Sequence, residues 1–275
     1  MHRVLLLTYI GLLLGLLVVV ASCVGIGELK SPQPSKAKTN VHAANPAEAQ
    51  GLNCDDCHFG PSPTKENPAL RASTKRVCLN CHTEQRDQKV STQHPPFVNG
   101  ECTVCHRQHG SNFSNLLVAQ PKDLCATCHS SIKNEASLPV VHGPFKDNEC
   151  GSCHDAHGSN QAGLLKAEIP KVCWSCHADV EKKDKAKAYQ HVPFANGQCN
   201  ACHLPHASQL SHLQTRDTKD LCLSTCHGKE KLNMDFSHEP VAQGQCLSCH
   251  LPHSSDHPRM LVAVGTQLCV SCHIK

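Results

Sequence analysis

The sequence predicts a mainly irregular, elongated array of short α-helices with no large sheet. Three observations predict it. The chain carries 21 cysteines and 22 histidines but only 3% aromatic residues, too few large apolar side chains for a conventional core at this length. From Cys54 onward a Cys-x-x-Cys-His motif returns every 23 to 26 residues, and alternate motifs differ, so the true repeat is close to 48 residues. Pro and Gly punctuate nearly every intervening segment, which keeps helices short. Chains of this kind are held by disulfides, metals or cofactors.

The first 53 residues read differently. Met1-His2-Arg3 is a short basic start, and Val4 to Val20 is almost wholly apolar. Val20-Ala21-Ser22-Cys23 resembles the lipobox of bacterial lipoprotein signal peptides. The expectation is a signal peptide over residues 1–22 and acylation of Cys23, the only cysteine outside the motifs. Several acyl chains on one residue suffice for stable anchoring. An uncleaved membrane helix and a soluble secreted form are the alternatives. Val24 stands where an inner-membrane retention signal would put Asp, which favours the outer membrane. Residues 23–53, rich in Ala, Pro, Lys and Ser, read as a flexible tether with a reach of about 30 Å.

Residues 54–275 form the repeat domain. Its motif cysteines are Cys54 and Cys57, Cys78 and Cys81, Cys102 and Cys105, Cys125 and Cys128, Cys150 and Cys153 in the first half. Cys173 and Cys176, Cys199 and Cys202, Cys222 and Cys226, Cys246 and Cys249, Cys269 and Cys272 follow. The terminal histidines are His58, His82, His106, His129, His154, His177, His203, His227, His250 and His273. Cys-x-x-Cys-His is the attachment sequence of c-type haem: both cysteines form thioethers to the porphyrin and the histidine becomes the proximal iron ligand. A zinc ribbon or a disulfide framework has no need of the histidine that follows every pair. The expectation is ten covalently attached haems c. Cys222-Leu-Ser-Thr-Cys226-His227 departs from the rest by one extra residue.

The motifs group into five two-motif units. From the second unit on, the odd-numbered motif has an extra histidine three residues after its proximal one: His109, His157, His206 and His253. Eight residues before the same motif stands a leader histidine: His94, His142, His191 and His238. The distance from the extra histidine to the next motif is constant at 16 residues, which is a geometric demand. With His42, His212 and His257 these make eleven candidates for ten distal positions, while Met234 and Met260 read as packing residues. Bis-histidine ligation throughout is the economical assignment, and it implies comparatively low potentials. An extra histidine lies on the same side of its own haem as the proximal one. His109, His157, His206 and His253 are therefore expected to ligate neighbouring haems. The first unit breaks the pattern: Pro61 stands where its extra histidine belongs, and His42 is the only leader candidate. On this count the missing ligand comes from His212 or His257, or one haem is open or bound by a non-histidine ligand.

Secondary structure should be limited to short helices at the motifs and a little more over residues 170–187. The Glu181 to Lys187 run reads as a solvated helix face. The formal charge of +3 carries no nucleic-acid inference, because ten ferric haems with two propionates each would shift it by about −10.

Cys54 to His273 resembles the doubled Cys-x-x-Cys-His multihaem cytochromes. It is also similar to the periplasmic decahaem subunits of bacterial porin–cytochrome conduits, the MtrA/DmsE type. The resemblance implies a thin protein whose haems form a wire across the periplasm or outer membrane. The lipobox and the expanded motif depart from the simplest soluble members. The expected function is electron transfer without catalysis, at the periplasmic side of the outer membrane or at the cell surface. Expected partners are other cytochromes, quinol-oxidising membrane complexes, an outer-membrane porin, or extracellular metal and mineral acceptors. Two alternatives remain: a multihaem reductase of nitrogen or sulfur oxyanions with one open haem, and a subunit of a conductive filament. Neither a Cys-x-x-Cys-Lys motif nor a tyrosine-rich pocket supports the reductase.

Overall fold

The computed structural model describes residues 54–59, 69–228 and 235–273. Cys23, His42, Pro61 and Met234 lie outside them, as do the signal-peptide and tether expectations. Among the described residues no helix is long and apolar enough to cross a membrane.

The architecture is mostly irregular, as the composition predicts. The longest described helices, Thr74–Cys81 and Ala178–Lys185, have eight residues each. Odd-numbered motifs form single turns: Cys54–Cys57, Cys102–Cys105 and Cys150–Cys153 are α-helical, Cys199–Ala201 and Cys246–Ser248 are 3₁₀. Even-numbered motifs begin within short helices such as Pro121–Ala126 and Thr266–Val270. The expanded motif absorbs its extra residue as a π turn, Leu223–His227. That is the usual way a helix accommodates one inserted residue.

Each leader histidine is the N-cap of a short helix with proline in its first turn, at Pro95–Asn99, Gly143–Lys146, Val192–Ala195 and Glu239–Ala242. Proline is tolerated there because its missing N–H would be unbonded anyway. Gly100 and Gly244 follow two of these helices with φ of +75° and +72°. A Cβ on either would lie 2.7 Å from the Cβ of Lys75 or Lys219, in the helix of the preceding even motif. Glycine thus permits both the left-handed turn and the close approach of consecutive units. Lys75 and Lys219 donate across this contact to the carbonyls of Val98 and Ala242, at 2.6 and 2.9 Å.

Six two-residue strands are β1 (Thr92–Gln93), β2 (Val140–Val141), β3 (Gly158–Ser159), β4 (Tyr189–Gln190), β5 (Ala207–Ser208) and β6 (Ser254–Ser255). They pair antiparallel as β1–β3, β2–β5 and β4–β6. Every sheet joins the strand before a leader histidine to the strand after the extra histidine of the next unit. The His94, His142 and His191 amides extend the pairing, donating to the carbonyls of His157, His206 and His253 at 2.8–2.9 Å. The strands are therefore clasps between consecutive repeats.

Protein atoms supply little core. The buried apolar residues among those described are Ala126, Phe145 and Ala207. The other buried positions among those described are the strand serines Ser159, Ser208, Ser254 and Ser255 and the glycines Gly158 and Gly197. Ser208 Oγ donates to the Gln214 carbonyl at 2.6 Å and accepts from the Leu210 amide at 3.0 Å, closing the loop that follows the extra histidine.

Two outcomes follow from this packing. Chain produced without haem attachment should show no cooperative thermal transition by circular dichroism. A cooperative apo-transition would mean that protein contacts suffice. In the holoprotein, Ser208→Ala strands the Leu210 N–H and the Gln214 carbonyl, and should cost about 1–3 kcal/mol in denaturant unfolding.

Candidate haem-ligation sites

The proximal histidines are oriented by the loops behind them. In odd-numbered motifs the chain after the histidine folds back and bridges it: His58 to Leu70, His106 to Leu117, His154 to Leu165, His203 to Gln214, His250 to Leu261. In four of these loops two consecutive residues adopt left-handed φ, among them Asn115–Leu116 and Arg259–Met260, and Gly163–Leu164 in the third unit. The turn aims a carbonyl at the imidazole. His106 Nδ1–H donates to Asn115 O at 2.8 Å and His154 Nδ1–H to Gly163 O at 2.7 Å. His203 donates to His212 O at 2.8 Å, and His250 to Arg259 O at 3.0 Å. Fixing the proton on Nδ1 leaves the Nε2 lone pair for a metal, the second-shell arrangement typical of ligating histidines.

Opposite the proximal imidazoles stand others. His94 faces His129, His142 faces His177, His191 faces His227 and His238 faces His273, with ring centres 5.9–6.1 Å apart. Each leader histidine thus meets the even motif of its own unit. The extra histidines reach backward: His109 faces His58, His157 faces His106, His206 faces His154 and His253 faces His203, at 6.0–6.1 Å. None of them faces the histidine of its own motif. The first unit, short by count because of Pro61, has an imidazole opposite His58. His227 of the expanded motif has the same spacing as the others, because the π turn returns it to register.

His212 and His257 face no proximal imidazole among the described residues. Both lie in loops that back a proximal histidine. His212 gives its carbonyl to His203, and His257 stands two residues before Arg259 with its amide on Ser255 Oγ at 2.9 Å. Their loops lie on the Nδ1 side of His203 and His250. His82 has a partner. His250 has no imidazole opposite it among the described residues.

Further side chains hold the extra histidines. His206 Nδ1–H donates to Glu135 at 2.6 Å and His253 Nδ1–H to Asp184 at 3.3 Å, while Asp155 accepts from the His157 amide at 2.9 Å. Asp184 also accepts from Ser254 Oγ at 2.7 Å, so the charged Ala178–Lys185 helix does more than face solvent. Phe97, Phe145 and Phe194, each three residues after a leader histidine, pack on His157, His206 and His253 with centres 4.7–5.1 Å apart. Burial holds the His157 imidazole below its usual range, reinforced by the neighbouring His106, and so favours the neutral form that binds metal. Glu135 and Asp184 stand 49 residues apart, close to one repeat, so they are counterparts that the period could have marked. A signal for the loop serines was available, since Ser111, Ser159, Ser208 and Ser255 each lie two residues after an extra histidine.

No two of the cysteines from Cys57 to Cys272 are joined by a disulfide. They lie in series. Cys78 meets Cys102, Cys125 meets Cys150, Cys173 meets Cys199 and Cys222 meets Cys246, joining each even motif to the next odd one. Burial pushes the Cys78, Cys173 and Cys222 thiols up to about 11. The hydrogen bond between Cys125 and Cys150 raises the first and lowers the second to about 6.

The donor set fits haem. With metal–imidazole bonds of about 2.0–2.1 Å, two imidazoles on opposite sides of one metal put their ring centres on the order of 6 Å apart. No cluster of three or more His, Cys, Asp or Glu side chains among the described residues is placed to hold a metal. Paired donors are what an iron needs when a porphyrin already supplies four nitrogens. Trp174, inside the sixth motif, has a buried indole N–H without an acceptor, a donor suited to a propionate.

Comparison with known proteins agrees. The doubled CXXCH motif family matches residues 45–87, 94–134, 142–182, 191–232 and 238–275. A multiheme cytochrome MtrA from Shewanella baltica (strain OS185) is 31% identical over 96 residues, 35% of this chain and 28% of that protein. The match thus spans about a quarter of the relative's length. Five doubled motifs, serial thiols and imidazoles paired at metal-spanning distance lead to one conclusion: the chain belongs to the doubled CXXCH motif family and is a multihaem c-type cytochrome that attaches haem c covalently.

Proposed function

We propose that this chain is a decahaem electron carrier with two histidines on the iron at eight of its positions. The carrying observation is the set of eight imidazole pairs at 5.9–6.1 Å. An iron closed on both sides exchanges electrons and offers no position to a substrate. The haem supplies the redox chemistry when bound; the chain fixes its order, axial ligands and exposure. By the leader rule His42 would serve His82. Histidine on both sides, with carboxylates on Glu135 and Asp184 raising ligand basicity, favours low potentials. The serial contacts between attachment cysteines support transfer from each haem to the next in chain order.

Setting and partners belong to the same proposal. Cys23 carries a lipid anchor that holds the tether and the haem domain at the periplasmic side of the outer membrane or at the cell surface. Partners are redox proteins of compatible potential: other cytochromes, a quinol-oxidising membrane complex, or a porin-bound conduit of the kind that the similarity to MtrA suggests.

Two variants test this reading. His157→Ala should open the haem on Cys102, Cys105 and His106, adding one carbon monoxide equivalent per reduced molecule. Removing that haem with Cys102→Ala/Cys105→Ala should abolish the gain. If removal of the Cys150/Cys153 haem abolishes it instead, the backward assignment is wrong. Cys23→Ser should move the protein from the membrane fraction to the soluble periplasm; unchanged membrane attachment contradicts the lipid anchor.

A further inference from the structure

Three of the odd-numbered positions form a controlled comparison, because their ligand pairs are built alike. His106, His154 and His203 each hold Nδ1–H on a loop carbonyl at 2.7–2.8 Å. They face His157, His206 and His253 at 6.0–6.1 Å. Each of those extra histidines carries a phenylalanine on its ring, Phe97, Phe145 or Phe194. What differs is the side chain offered to the extra histidine from an earlier unit.

That side chain comes from the stretch after an even-numbered motif. Gln88 caps the helix Thr83–Asp87, Glu135 ends the helix Ser131–Glu135, and Asp184 lies in Ala178–Lys185. They stand 69, 71 and 69 residues before His157, His206 and His253. Each is followed by a strand, β1, β2 or β4, that clasps the strand directly after the same extra histidine. The chain therefore presents all three residues to equivalent places. Glu135 and Asp184 accept from the ring Nδ1–H, at 2.6 and 3.3 Å. Gln88 does not. Its Nε2 donates to the Gly158 carbonyl at 3.2 Å and lies 3.5 Å from Asp155, and its buried Oε1 has no donor. No side chain among the described residues accepts from the His157 ring. Asp155 brings a carboxylate near, but on the His157 backbone amide at 2.9 Å, and Lys166 lines the same cavity as Asp155 and Gln88.

A carboxylate on Nδ1–H draws the proton away from the ring and makes the imidazole a more basic ligand. A more basic axial ligand favours ferric over ferrous iron, so the potential falls. A neutral amide has no charge to pass on. Resting on the bis-histidine reading above, we propose that Gln88, Glu135 and Asp184 are positioning residues that grade the array. The haem on Cys102, Cys105 and His106 takes up its electron at a higher potential than the haems on Cys150, Cys153 and His154 and on Cys199, Cys202 and His203. Of these three irons, the one backed by Gln88 is reduced first, and the two backed by carboxylates follow.

The test is a spectroelectrochemical titration of the full-length holoprotein, with haem counted by pyridine haemochrome and spin state read by electron paramagnetic resonance. Cys102→Ala/Cys105→Ala should remove a one-electron component from higher potential than the component lost with Cys150→Ala/Cys153→Ala or with Cys199→Ala/Cys202→Ala. Glu135→Gln and Asp184→Asn should each move one component to higher potential. Each shift should vanish when the Cys150/Cys153 or the Cys199/Cys202 haem, respectively, is also removed. Glu135→Asp should restore the low value. Gln88→Glu should move one component down, and only while the Cys102/Cys105 haem is present; if this variant fails to load ten haems, the two amide variants still decide. A Cys102/Cys105 component at or below the other two would overturn the grading. So would amide variants that shift nothing, or shift downward, while all irons remain low-spin; both results leave the bis-histidine reading intact. A high-spin iron at any of the three positions in the wild type would overturn the grading together with that reading.

Discussion

Two imidazoles held about 6 Å apart are the contact on which the rest of this structure depends. Three buried apolar residues cannot hold the described chain together, and three two-residue clasps add little. The histidine pairs do more. Each backward pair spans about 50 residues of sequence, and closing a loop of that length through one iron removes about 4 kcal/mol of unfolded-state entropy by the relation used for disulfides. Every other feature serves these pairs. The left-handed turns aim carbonyls at Nδ1, the strand serines brace the turns, and the phenylalanines press on the incoming rings.

The pairing rule has a direction. Leader histidines face the even motif of their own unit, while extra histidines face the odd motif of the unit before. His58 therefore has an imidazole opposite it although Pro61 stands where its own unit's extra histidine belongs.

Much of this was legible in the chain. The motif count, the period near 48 residues, the constant spacing of 16 residues and the want of aromatic residues define the fold class and the cofactor type. His109 and its counterparts face imidazoles other than that of their own motif. Spacing could not reveal the direction in which they turn, because both neighbours lie at similar sequence distance. The role of His212 was hidden for a different reason: its carbonyl, not its ring, contacts His203. Glu135 and Asp184 recur one repeat apart, but their partners lie about 70 residues further on, a distance that no motif spacing announces.

A holoprotein structure that resolves the irons tests the central claim most directly. The account predicts one iron midway between His154 and His206, with a thioether-bound porphyrin on Cys150 and Cys153, and the same crossing at His58–His109, His106–His157 and His203–His253. An iron on Cys199 and Cys202 ligated by His206, or a His206 ring turned to solvent, would contradict it.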